Sequence, residues 1–125
     1  MRAWGGIASL QLGLAAVWTE ACSRGYALTQ VAGWMCEKPA RMAGLAGRKG
    51  VIAAGHDADL VIWNPDAKFA VEPERLHHRH KLTPYAGREL AGVVEVTFLR
   101  GQKIFERGEL SRTAMGRVLY RAEHE

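Results

Sequence analysis

The chain has 125 residues, 48% of them hydrophobic, which suits one ordinary domain with material for a core. Its 17 basic and 13 acidic side chains interleave to a formal charge of +4, so the basic block of a nucleic-acid binder is absent. No apolar run nears the ~20 residues that cross a bilayer, and Met1 to Gly6 lacks the pattern of a secretory signal, so neither a membrane nor a secreted protein is expected.

The first half reads as helical. Residues 15–24 are good helix formers that stop at Gly25, with Leu14, Val17 and Ala21 on one face. Thr29 is a candidate N-cap for a second helix through Glu37, although a start at Leu28 is also compatible. Val31, Trp34 and Met35 form its apolar stripe. Lys38-Pro39 is expected to end that helix, and Pro39 to open a short third one over 40–45.

From Gly44 onward glycines at 44, 47, 50 and 55 cut the chain into turns, and β-branched residues begin. Leu60 to Trp63 is a continuous apolar run between turn signals, expected to be a strand buried on both faces and stopped by Asn64-Pro65. Residues 68–72 alternate as a half-exposed strand should. Residues 73–89 read as a long loop, a length more often functional than idle. Residues 92–100 are a strong strand, returning through a Gly101-Gln102 turn into 103–106; the polar remainder is expected to fray. Helices followed by a few apolar strands leave a sheet in need of an opposing layer.

Four features invite chemistry. His78 and His80 form an HxH that would put two imidazoles on one face if it lay on a strand, yet no third ligand stands at a suitable spacing; a solvated basic loop is the plainer reading. Trp4-Gly5-Gly6 is a place where a ligand could approach the backbone closely, or simply a leader. Asp57 and Asp59 resemble paired carboxylates, but turn formation through backbone N–H groups explains them as well. Cys22 and Cys36 are too far apart in sequence for a CxxC pair; as small buried structural thiols they point to a reducing cytoplasm. No GxSxG, P-loop or HExxH is present.

Several segments, in order, resemble one family. Trp4 to Gln11, Val17 to Ala21, Trp34-Met35, Lys38 to Ala40 and Arg48 to Gly50 are similar to the region after the eighth barrel strand of the allantoinase family of cyclic-amide amidohydrolases. The stretch from Gly50 to Pro65, His78 to Tyr85 and Thr97 to Gly101 continue the similarity to about residue 105. Ala15 and Ala86 depart from the usual pattern, where a proline and a Tyr-Glu-Gly stand.

The resemblance implies an α/β fold: the C-terminal part of a metal-dependent (β/α)8 amidohydrolase. Residues 1–49 would be its last barrel helices and 50–125 strands of a small composite β-sandwich with the 73–89 loop and a polar tail. It implies hydrolysis of allantoin to allantoate, in purine catabolism, at a centre of zinc or another divalent metal pair. Those ligands would all lie before Met1, so no metal or catalytic residue is expected in this chain. Trp4, Gly5 and Gly6 are the substrate-binding positions it carries over, and His78 and His80 fall in a loop. The isolated chain is therefore expected to be inactive and to self-associate. The alternatives are a part completed by a separate N-terminal barrel polypeptide, a non-catalytic interaction domain and a small metal-binding protein using the His cluster.

Overall fold

The computed structural model describes residues 7–120. A 3-10 turn (Leu10–Leu12) leads into α1 (Gly13–Ser23), followed by α2 (Leu28–Ala32), a π turn (Gly33–Glu37) and α3 (Lys38–Met42). Strands β1 (Leu60–Ala70), β2 (Glu89–Leu99), β3 (Gln102–Glu106) and β4 (Glu109–Leu110) then form one antiparallel sheet in that order.

Helix α1 ends as its sequence requires. Gly25 takes φ +78, and the N–H groups of Gly25 and Tyr26 cap the carbonyls of Cys22 and Ala21. Its buried face, however, is Ala15, Trp18 and Ala21, while Val17 is exposed. The next helix starts at Leu28, not after Thr29, because the Gln30 side chain reaches back to accept from the Ala27 N–H at 2.9 Å.

Pro39 does not end the helical run. The Lys38 N–H donates to the Gly33 carbonyl, five residues back, and α3 follows without a break. In an α-helix the proline ring would meet the carbonyl four residues earlier; the wider π turn relieves that clash. The extra residue also rotates the side chains beyond Gly33, so the expected stripe is broken: Val31 is buried, but Trp34 and Met35 are exposed. Tyr26 packs edge-on against Trp34 with ring centroids 5.0 Å apart.

Leu60 to Trp63 is the start of an outer strand, not one buried on both faces, and Val61 and Ile62 are 47% and 51% exposed. Asn64-Pro65 does not stop it. Asn64 pairs with Val93 and Lys68 with Ala91, so residues 65–67 bulge opposite Gly92 alone. The Asn64 Oδ1 accepts from the N–H groups of Asp66 and Ala67, closing the bulge. Pro65 is tolerated there because a bulge on an edge strand asks for no ladder N–H.

Hairpin β2–β3 turns on Arg100-Gly101, one residue earlier than expected. Both residues have positive φ, +49 and +77, and Leu99 pairs with Gln102. That is a type I′ turn, whose twist suits antiparallel strands. The pattern repeats at Arg107-Gly108, with φ +46 and +95, and the chain there forms β4 instead of fraying.

Two apolar clusters join α1 to the sheet. Leu12, Ala15, Val71, Leu76 and Leu90 form one, with Phe69 and Tyr85 against it. Trp18, Ala21 and Val31 form the other, with Trp63 and Ala91 against it. The rings of Trp18 and Trp63 meet edge to face at 5.7 Å, and Trp18 Nε1 donates to the Pro65 carbonyl at 2.9 Å. Gly92, with φ +97, lies beneath them: a Cβ there would stand 2.8 Å from Trp63 Cζ3. Thr19 completes the joint by accepting from the Ala91 N–H at 2.8 Å and donating to the Ala15 carbonyl at 2.7 Å.

Candidate functional site

Polar contacts concentrate in two places. The first is where the 73–89 loop meets the start of the described chain. Thr83 is the only buried polar side chain among the described residues, 6% exposed. Its hydroxyl donates to the Ala8 carbonyl at 2.6 Å, across 75 positions of sequence. Beside it, the Gln11 Oε1 accepts from the His77 N–H at 2.8 Å. The His77 ring in turn donates through Nε2 to the Gly108 carbonyl at 3.0 Å, so one loop holds both the N-terminal segment and the last hairpin. Arg88 lies over the Tyr85 ring at 5.8 Å.

The second is an ionic seam between the turn after α3 and the hairpin. Asp57 accepts from Arg48 Nε and Lys49 Nζ, each at 2.9 Å. Asp59 pairs with Lys49 through one oxygen and accepts from the Arg100 N–H at 2.8 Å through the other. The hydrogen bond from Lys49 holds the Asp57 carboxyl below its usual range, with Arg48 adding to it. Burial pushes Asp59 up, but the bonds from Lys49 and the Arg100 N–H outweigh it and the net direction is down. Lys49 is raised, chiefly by its bond to Asp59. Asp57 Oδ2 has two cationic partners, and both oxygens of Asp59 have a cationic or N–H partner. These aspartates build a joint, and the backbone N–H that Asp59 satisfies is 41 residues away, not in its own turn.

His77, His78 and His80 are not brought together as ligands of one ion. No strand runs through 77–80, so the alternation that would put His78 and His80 on one face is missing. His77 is committed to Gly108, His78 Nε2 is shielded without a hydrogen-bond partner, and His80 is exposed. Among the described residues no three His, Cys, Asp or Glu side chains converge. The residues present therefore do not fit the dinuclear centre that the resemblance implies. Cys22 and Cys36, expected to be buried, are free and exposed. Trp4, Gly5 and Gly6 lie outside the described residues. A shallow depression of about 460 Å³ is lined by Arg100, Gln102 and residues 114–117, with no carboxylate or imidazole in its wall. No described helix is long and apolar enough to cross a membrane.

Sequence reasoning missed Thr83, Gln11 and the Trp18 indole N–H. Only the last carried a signal: an indole on the apolar face of a helix needs an acceptor once buried.

The comparisons with known proteins agree with this architecture. The family model described as "Amidohydrolase family" matches residues 9–104. The allantoinase of Streptomyces avermitilis is 50% identical over 119 residues, which is 95% of this chain and 26% of that protein. The allantoinase of Saccharomyces cerevisiae is 38% identical, over 93% of this chain and 25% of its own length. Among solved structures, the L-hydantoinase (dihydropyrimidinase) of Arthrobacter aurescens superposes with a TM-score of 0.80 at 32% identity, covering 87% of this chain and 24% of that one. This chain spans about a quarter of the length of such relatives, and it belongs to the amidohydrolase family.

Proposed function

We infer that this chain is the C-terminal portion of an allantoinase-type hydrolase, the part that follows the last barrel strand. The observation that carries this is the 50% identity to an allantoinase, sustained over 95% of the chain. The reaction would add water across the cyclic amide of allantoin. A hydroxyl joins the carbonyl carbon, the ring C–N bond breaks, and the nitrogen leaves with a proton. The groups that activate that water belong to a barrel polypeptide supplied in cis or in trans, and no residue described here takes that role.

The contribution of this chain is to binding and to architecture. Trp4, Gly5 and Gly6 would lie against the substrate, where a glycine pair lets main-chain N–H and C=O groups meet the donors and acceptors of a ureide. The helical part through residue 49 would close the barrel, and the sheet would form part of a composite sandwich. The exposed surface supports this reading. Leu10, Met42, Ile52, Val61 and Ile62 are among the exposed apolar residues that an absent layer would cover. Free, unpaired Cys22 and Cys36 favour the cytoplasm.

The test is a chimera in which this chain replaces the segment it matches in the Streptomyces avermitilis enzyme. Allantoate formation by the chimera, with none from the 125-residue chain alone, is expected. A soluble, metal-loaded chimera without turnover would refute the reading.

A further inference from the structure

A type I′ turn is usually opened by asparagine, aspartate or glycine, which take positive φ with little strain. The turn between β2 and β3 opens on arginine, with Arg100 at φ +49. Two contacts clamp it: the Arg100 N–H donates to Asp59 Oδ1 at 2.8 Å, and the Gly101 N–H to the Ala58 carbonyl at 2.9 Å. Neither uses the Arg100 side chain. Its guanidinium donates through Nη2 to the carbonyl of Met115, fifteen residues on. That bond brings residues 114–117 back beside the hairpin, and the two bound the depression of about 460 Å³. The Ser111 N–H fixes the near end of the returning segment by donating to the Ile104 carbonyl at 2.8 Å.

The wall of this depression has one-sided chemistry. Arg100, Arg117 and Gln102 offer donors, and no acid stands among the lining residues. Arg24, Arg41, Arg48 and Arg75 each pair with a carboxylate. Arg100 and Arg117 have none within 4 Å among the described residues. Asp59, which holds the Arg100 N–H, gives its other oxygen to Lys49. A guanidinium carries several N–H donors, and the Met115 carbonyl takes only one edge of this one. We propose that the depression binds a small oxyanion, an inorganic phosphate or a compact polycarboxylate, between Arg100 and Arg117. The planar fork of arginine meets two oxygens of either group at once, and the Gln102 carboxamide adds a neutral donor. The volume lies in the range of small-molecule sites. Arg100 is half-buried and held by Met115, so its fork is oriented before the ligand arrives. Ligand and carbonyl use different N–H groups, so binding draws 114–117 against the hairpin. The site is open to solvent, which sets a modest Kd of about 0.1–1 mM that weakens with salt. It is independent of the proposed hydrolysis.

Calorimetric titration of the 125-residue chain with citrate and with inorganic phosphate tests it, with hydrogen–deuterium exchange as a second readout. Both anions should bind saturably and compete with one another. Saturating citrate should slow exchange over residues 114–117 by about threefold or more and leave β1 unchanged. Arg117 is exposed and lies outside every strand, so Arg117→Gln keeps the fold; it should weaken citrate about tenfold. Arg100→Lys keeps the charge but loses the fork, and should weaken citrate about fivefold. Arg112→Gln removes the same charge from an exposed arginine outside the wall, and should change Kd less than about twofold. The absence of saturable binding of either anion up to about 10 mM would overturn the proposal. So would equal weakening by Arg112→Gln and Arg117→Gln, which is the mark of diffuse charge attraction, or an Arg100→Lys chain that binds as tightly as the parent.

Discussion

Gly92→Ala is expected to be the most damaging small substitution in the sheet. The position has φ +97, outside the region that residues with a Cβ occupy easily, which costs about 1–2 kcal/mol. The added methyl would also meet Trp63 Cζ3 at 2.8 Å, Trp63 Cε3 at 3.1 Å and Trp18 Cδ1 at 3.3 Å. Neither ring can retreat easily, because the Trp18 indole is bonded to the Pro65 carbonyl and its edge is packed on Trp63. Overpacking of this kind adds about 1–3 kcal/mol, for a total of about 2–5 kcal/mol out of the 5–15 typical of a whole domain. Gly101 supplies the control. Its φ is +77, and nothing lies within 4 Å of a Cβ built there, so Gly101→Ala carries the backbone cost alone. Urea unfolding followed by tryptophan fluorescence should place Gly92→Ala well below Gly101→Ala. Equal losses in the two variants would refute the claim that the tryptophan pair is wedged against this backbone.

Trp18→Phe should cost about 1–2 kcal/mol by losing the bond to Pro65 and part of its packing, whereas Trp34→Phe, at an exposed ring, should stay within about 0.5 kcal/mol in the same unfolding assay. The ionic seam predicts a pH profile. Asp57 and Asp59 lie below 3.8 in the folded chain, so their contribution is complete above that value and fades as pH falls through the lowered ones. Lys49 lies above 10.5, so its contribution holds below that value and fades as pH climbs through the raised one. Melting temperature should therefore decline on the acid side below about pH 4, and a D57N/D59N double variant should lose most of that acid slope. Sedimentation of the isolated chain should show self-association that Val61→Lys with Ile62→Lys reduces, since both side chains stand exposed on the outer strand.

Much of the architecture was legible because local chemistry decided it. Gly25 stopped α1, the β-branched run through residues 92–99 made the central strand, and the alternation at 68–72 marked a half-buried face. The misreadings share a cause: tertiary partners changed what a local signal meant. Pro39 reads as a helix stop, but a π turn absorbs it. Asn64-Pro65 reads as a strand end, but the bulge gives the Pro65 carbonyl to Trp18. Arg100-Gly101 and Arg107-Gly108 were hidden because arginine is not the usual residue for positive φ. Apolar content predicted burial for Leu60 to Trp63, but burial depends on a layer that these residues alone do not supply. The site was less legible still. Thr83 and Gln11 matter only through atoms 75 and 66 positions away, distances at which no spacing rule operates. The HxH at 78 and 80 showed the converse: suitable residue types without the strand that would align them.

As proposed, this amidohydrolase-family chain contributes binding and architecture to a cyclic-amide hydrolase whose water-activating groups lie on another segment. Allantoate production measured side by side for the purified 125-residue chain and for the Streptomyces avermitilis chimera, both supplied with zinc or manganese, tests it most directly. Turnover is expected from the chimera and none above buffer from the chain alone. Turnover by the isolated chain, or a folded and metal-loaded chimera that leaves allantoin intact, would contradict it.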